Sequence, residues 1–145
     1  GNRILNAAIL ENDIIHNFKY TDKNLISSMK DKNFINVKQG YSKCSILPIR
    51  EKVIITNDKG IHDILKKEDY DILWLPPGDI LLPSLNYGFI GGVGGKISDD
   101  SLAFFGNLDY YKYGKEIKLF LSKYDIKPIY LSQGKLIDRG SLMCL

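Results

Sequence analysis

Four side chains in this sequence are suited to nucleophilic or acid–base chemistry: Cys44, Cys144, His16 and His62. A thiol attacks as its thiolate, which a neighbouring cation, base or helix N-terminus stabilises. Lys43 adjoins Cys44, although on a strand the two would point to opposite faces. Arg139 precedes Cys144 by five residues and can reach back to it. Cys144 is therefore the candidate nucleophile and His16, which closes an apolar run, the candidate base. His62 falls on the polar side of a predicted helix. The competing reading makes both cysteines small buried hydrophobes, since Cys is among the most buried residue types. Two acids, Asp109 and Asp138, fall at strand ends expected to face one rim, where they could hold a cationic group such as guanidinium. Turn caps and surface charge are the alternative for both. In the run Gly88–Gly95, Gly92 and Gly94 point to close approach of a backbone or a ligand, where side chains would clash. With Asn107 and Cys44 they complete the candidate ligand-binding set.

Spacing excludes other chemistries. No Cys or His pair has the C-x-x-C or H-x-x-x-H spacing of a zinc site, so neither metal nor cofactor is expected. Gly95-Lys96 is not a phosphate loop, because Ile90 stands where the first glycine would be and Ile97 follows the lysine. A dinucleotide fingerprint opening at Gly92 would need Gly or Ala at position 97. Both motifs also require a helix next, whereas Asp99-Asp100 reads as a hairpin turn.

With 145 residues, 44% of them hydrophobic, the chain fits one domain with a real core. Its net charge is +3, with Arg only at positions 3, 50 and 139 and the lysines interleaved with acids. Such a pattern makes a solvated surface, not the clustered basic face that nucleic acid needs. Two cysteines do not form a disulfide framework. No apolar run approaches the roughly 20 residues that span a bilayer, and no leader sequence is evident. A cytoplasmic protein, with neither membrane nor nucleic acid as a partner, is the expectation.

The elements that must position these residues repeat. Three apolar helix stripes at i, i+3, i+4 are Leu25/Ser28/Met29, Ile61/Ile64/Leu65 and Ile117/Phe120/Leu121. Asp22 and Asp58 are the predicted N-caps of the first two. Before each helix lies a predicted hairpin: Ala7–Leu10 with Ile14–His16, Ser45–Ile49 with Val53–Thr56, and Gly95–Ile97 with Leu102–Phe105. After each comes a short apolar strand, Phe34–Val37, Ile72–Leu75 and Pro128–Leu131, of the kind covered on both faces or at least well buried. The second strands end at Asn17, Asn57 and Asn107, and the last strands at Gly40, Gly78 and Gly134. Ile61 to Gly78 and Ile117 to Gly134 both measure 17 residues. A period of this size marks a repeat architecture. The predicted fold class is α/β: one domain of three ββαβ units (about 1–40, 41–87 and 88–134) plus a closing strand at 138–145. Cys44 and Cys144 each lie four residues after a glycine, 100 residues apart, as if on equivalent strands. The third unit departs from the others through its tyrosine-rich insertion, Asp109–Gly114.

Repeated ββαβ units around an axis resemble the pentein superfamily, the β/α propellers, which includes arginine deiminases, amidinotransferases and the ribosome anti-association factors. Gly140-Ser141-Leu142-Met143-Cys144 is similar to the family's C-terminal nucleophile segment, and Phe105-Gly106-Asn107 to a segment that contributes substrate contacts. The resemblance implies a bacterial pentein-like protein and a small guanidino-type ligand. Family enzymes also place a His on an inner strand before the Cys, whereas the corresponding stretch, Gly88–Gly95, has none. Three units leave open sheet edges, which natural proteins avoid. Upstream units or a second copy of the chain would close them. Two readings follow. The first is a non-catalytic binding or assembly module. The second is a Cys-dependent hydrolase or transferase acting on a guanidino or amidino group, with Cys144 attacking its carbon, an acid such as Asp109 or Asp138 holding the cation, and His16 or a residue outside this chain moving protons.

Overall fold

The computed structural model describes residues 8–10, 12–16, 31–38, 42–83 and 85–140. Several expectations lie outside them: the first helix stripe with its Asp22 cap, Asn17, Gly40, and Cys144 with residues 141–145 of the closing strand.

Among the described residues, three three-stranded sheets share one topology, an antiparallel hairpin whose second strand pairs in parallel with a third. The first holds β1 (Ala8–Ile9), β2 (Asp13–His16) and β3 (Asn33–Asn36). The second holds β4 (Ile46–Arg50), β5 (Val53–Thr56) and β6 (Asp71–Trp74). The third holds β7 (Gly94–Ser98), β8 (Ser101–Phe104) and β9 (Lys127–Tyr130). A parallel pair needs a crossover. Helix α1 (Lys59–Lys66) supplies it in the second sheet and α2 (Gly114–Lys123) in the third.

Local chemistry sets the ends of these elements. Asp58 caps α1, its carboxylate accepting the Ile61 N–H at 2.9 Å, a bond worth about 1 kcal/mol. Both helices exit through an aspartate in the left-handed region, Asp69 at φ 63° and Asp125 at φ 56°. Asp tolerates that conformation better than most residues. Gly78 (φ 113°) and Gly134 (φ 84°) turn the chain after β6 and β9 at equivalent positions. The α1 stripe buries Ile61 and Leu65, and that of α2 buries Ile117, Phe120 and Leu121.

Two predicted details need correction. The third strand of each unit is not covered on both faces: every residue of β6 is half-buried, and β3 and β9 alternate with exposed residues, whereas all four of β5 are buried. β5 is the central strand and β6 an edge; β4, the other edge, is mostly buried because it packs against β7 and the glycine-rich turn. Nor is Cys44 on a strand. Residues Ser42–Ser45 make one helical turn that feeds directly into β4.

Among the described residues the core has two parts. One gathers the faces of the first two sheets with α1, including Ile15, Ile35, Ile54 and Leu65. The other joins the second and third sheets with α2, including Ile55, Leu75, Leu102 and Leu121.

Candidate functional site

Where the second and third sheets meet, the glycine-rich segment runs from Gly88 through a 3-10 turn (Ile90–Gly92) into β7. Two polar side chains, each buried, hold it. Asn57, just past β5, accepts the Ile90 N–H on Oδ1 at 2.9 Å and donates from Nδ2 to the Leu75 carbonyl at 3.2 Å. Asp138 accepts the Phe89 N–H on Oδ2 and the Gly140 N–H on Oδ1, both at 2.9 Å. The Arg139 N–H then donates to the Gly92 carbonyl at 3.0 Å, and the Asp138 N–H to the Leu81 carbonyl at 2.8 Å.

The glycines are small because protein atoms fill the space beside them. A Cβ on Gly91 would lie 2.5 Å from the Cys44 carbonyl oxygen. One on Gly92 would lie 1.7 Å from Asp138 Oδ1, and one on Gly94 1.9 Å from the Ala103 carbonyl oxygen. Gly95 has open space instead. Three candidates that are far apart in sequence, half-buried Cys44, Gly92 and Asp138, therefore gather around one turn.

Other candidates lie elsewhere. Asp109 is exposed and pairs with the Lys118 ammonium. Asn107 Oδ1 accepts the Asp109 N–H at 2.8 Å and so caps the 3-10 turn Leu108–Tyr110. Asp109 and Asp138 thus hold separate partners. His16 ends β2 beside Asn36 of β3. The His62 ring pairs with Asp63 at 2.9 Å, and that hydrogen bond is the main cause that keeps the exposed Asp63 carboxyl below its ordinary pKa. Among the described residues no group of three or more His, Cys, Asp or Glu side chains could hold a metal ion.

Sequence reasoning missed Asn57 as more than a strand end, though the recurrence of Asn at each second-strand end was a usable signal. Near it, Tyr111 is buried, and burial raises the pKa of its phenol, with Asn57 acting in the opposite direction. The guanidinium of Arg139 lies 5.9 Å from the centre of the Phe105 ring.

The fold is similar to that of SxtG, an amidinotransferase from Microseira wollei in the saxitoxin biosynthetic pathway, at a TM-score of 0.55 and 17% identity. It is also similar to a substrate-bound agmatine deiminase of C. jejuni, at a TM-score of 0.59 and 16% identity. Each likeness covers 88% of this chain, but 41% and 49% of those proteins, so the chain spans less than half the length of either. Both are pentein superfamily members, and at this identity the likeness extends to the mixed α/β fold alone. No match is found among the curated proteins. No helix among the described residues is long and apolar enough to cross a membrane. One family model does match, over residues 1–143, and the chain belongs to that family, DUF6873, a family of unknown function.

Proposed function

We propose that this chain is a non-catalytic binding or assembly module on a pentein-like fold. Its units follow the boundaries read from the sequence. One observation carries this reading: both oxygens of the buried Asp138 carboxylate accept backbone N–H groups, from Phe89 and Gly140. A carboxylate that recognises a guanidinium presents both oxygens to it as a fork. Here the pair is engaged in fastening the glycine-rich turn, and Gly92 gives up its side chain to admit it.

The fold likeness to an amidinotransferase and an agmatine deiminase favours a second reading. In it Cys144 attacks the guanidino carbon, Asp109 or Asp138 holds the cation, and His16, or a residue outside this chain, moves the proton to the leaving amine. One experiment separates the two. The purified protein is titrated with agmatine and arginine by calorimetry, and the same samples are assayed for ammonia release and for amidino transfer to an added amine. The module reading expects no turnover, with or without measurable binding. Turnover that Cys144→Ala abolishes would replace it with the enzyme reading.

A further inference from the structure

The strand registers show where the third unit carries extra chain. Thr56 pairs with Trp74 and Phe104 with Tyr130, so the two central strands end at equivalent positions. Helix α1 starts at Lys59, three residues after Thr56, whereas α2 starts at Gly114, ten residues after Phe104. The added length holds the tyrosine-rich insertion, and its backbone bonds are mostly local. Tyr110 N–H donates to the Asn107 carbonyl at 3.0 Å, Tyr111 N–H to that of Leu108 at 3.1 Å and Gly114 N–H to that of Tyr111 at 3.0 Å. From Tyr110–Tyr113, among the described residues, one backbone N–H reaches a distant segment: Lys112 donates to Asp79 Oδ2 at 2.8 Å.

Asp79 is set up to receive that bond. It follows Gly78, and the two stand in the left-handed region at φ 59° and 113°. Its other oxygen, Oδ1, takes the Lys135 ammonium, so one carboxylate joins the chain after β6, the insertion and the turn after β9. Tyr111, next to Lys112, is 5% exposed and lies in the core cluster of Leu75, Ile90 and Leu136. Its ring meets that of Tyr113 edge-on, with centroids 5.6 Å apart. Its hydroxyl is buried and has no hydrogen-bond partner among the described residues. Asn57 stands beside the phenol, but its Oδ1 is taken by the Ile90 N–H and its Nδ2 by the Leu75 and Pro76 carbonyls. A buried hydroxyl left unpaired opposes the closed position. Tyr113, at the N-cap of α2, makes no side-chain cap bond that would add a further hold. Apolar packing and Asp79 therefore keep this segment in place.

We propose that Tyr110–Tyr113 is a strap, fastened by Asp79, that closes over the carboxyl ends of β5 and β6 and opens while the rest of the fold stays intact. Asn57 and Leu75 directly follow those two parallel strands. The carboxyl ends of parallel strands are where open α/β sheets take ligands, so the strap covers the edge at which a ligand would enter. Lids are drawn from segments that open at less cost than the whole fold. This inference goes beyond the function proposed above and is the same for a binding module and for an enzyme.

The test is amide hydrogen exchange near neutral pH, read by mass spectrometry on peptides that cover the strap and β5. Asp79→Gly removes the acceptor of the Lys112 N–H, and glycine keeps the left-handed φ without strain. Exchange in the strap should then rise about tenfold or more, the worth of one hydrogen bond to a charged group, while β5 keeps its protection. Tyr111→Phe removes the unpaired hydroxyl and keeps the ring, so the strap should exchange about tenfold more slowly than in wild type. Leu65→Ala is the control, because Leu65 is buried in the other core cluster. It should lower the protection of β5 and leave strap exchange unchanged. Strap exchange unaltered in Asp79→Gly, faster exchange in Tyr111→Phe, or strap and β5 rising together in Asp79→Gly and Leu65→Ala alike would overturn the proposal. Should Asp79→Gly not fold, Tyr111→Phe decides alone.

Discussion

Asp138 accepts the backbone N–H of Phe89 at 2.9 Å, joining residues 49 apart in sequence at the mouth of the glycine-rich turn. The same carboxylate takes the Gly140 N–H, so a single buried side chain fixes two backbone segments. Charge-assisted bonds of this kind are the stronger class of hydrogen bond.

Replacing Asp138 should therefore unfold the protein more easily, with little change in its other surfaces. Asp138→Ala removes the acceptor of the Phe89 N–H at a part-buried site, at a cost of about 1 kcal/mol. Asp138→Asn keeps one acceptor but turns an NH2 group toward the second backbone donor, so it should recover only part of that loss. Urea unfolding followed by circular dichroism checks both variants. A midpoint equal to wild type in Asp138→Ala would mean that the latch contributes nothing.

Within the same segment, Gly92 and Gly95 should respond oppositely to alanine. A Cβ at Gly92 would overlap Asp138 Oδ1, so Gly92→Ala must displace the latch, with overpacking of about 1–3 kcal/mol. Gly95 sits in β7, where an added Cβ would meet nothing within 4 Å, and Gly95→Ala should be neutral or stabilising by about 0.5 kcal/mol. Thermal melts of the two single variants, side by side, measure the contrast.

On the alkaline side, Tyr70 should resist titration. Burial, and then its hydrogen bond to Asp13, raise the pKa of its phenol well above the ordinary value. The folded state thus holds the proton more tightly than the unfolded chain, whose tyrosines titrate near pH 10. The stabilisation is complete below about pH 10 and declines as pH rises above it. Absorbance at tyrosinate wavelengths should show Tyr70 ionising only as the protein unfolds. Tyr70→Phe should flatten the decline in stability, since it removes the linked proton.

On the acid side the sign reverses. Hydrogen bonding to Lys135 lowers the pKa of Asp79, and Lys123, with Tyr124, lowers that of Asp71. Folded carboxyls held below the unfolded value stabilise the protein above about pH 4, and that contribution is lost as pH falls through their folded pKa. Both side chains are partly exposed, so solvent screening keeps each contribution small. Asp79→Asn should make the fall in stability below pH 4 shallower, as read from urea midpoints across pH.

The repeating elements were legible in the amino-acid sequence. The i, i+3, i+4 stripes led to Ile61 and Leu65 in α1 and to Ile117, Phe120 and Leu121 in α2, all buried as their spacing requires. The Asp58 cap and the glycine turns at Gly78 and Gly134 were readable for the same reason: each is a local backbone requirement that a residue type declares. Other features depend on how distant segments pack. Whether an apolar strand is buried follows from what packs beside it: β5 is central and buried, β4 is an edge covered by the third sheet, and β6 is an edge left half-buried. Whether Gly92 faces a ligand or a carboxylate depends on where a residue 46 positions later is folded, and that residue is Asp138. Periodicity is carried by neighbours along the chain, whereas Asn57, Cys44 and Asp138 meet the glycine-rich turn only because two sheets pack against one another.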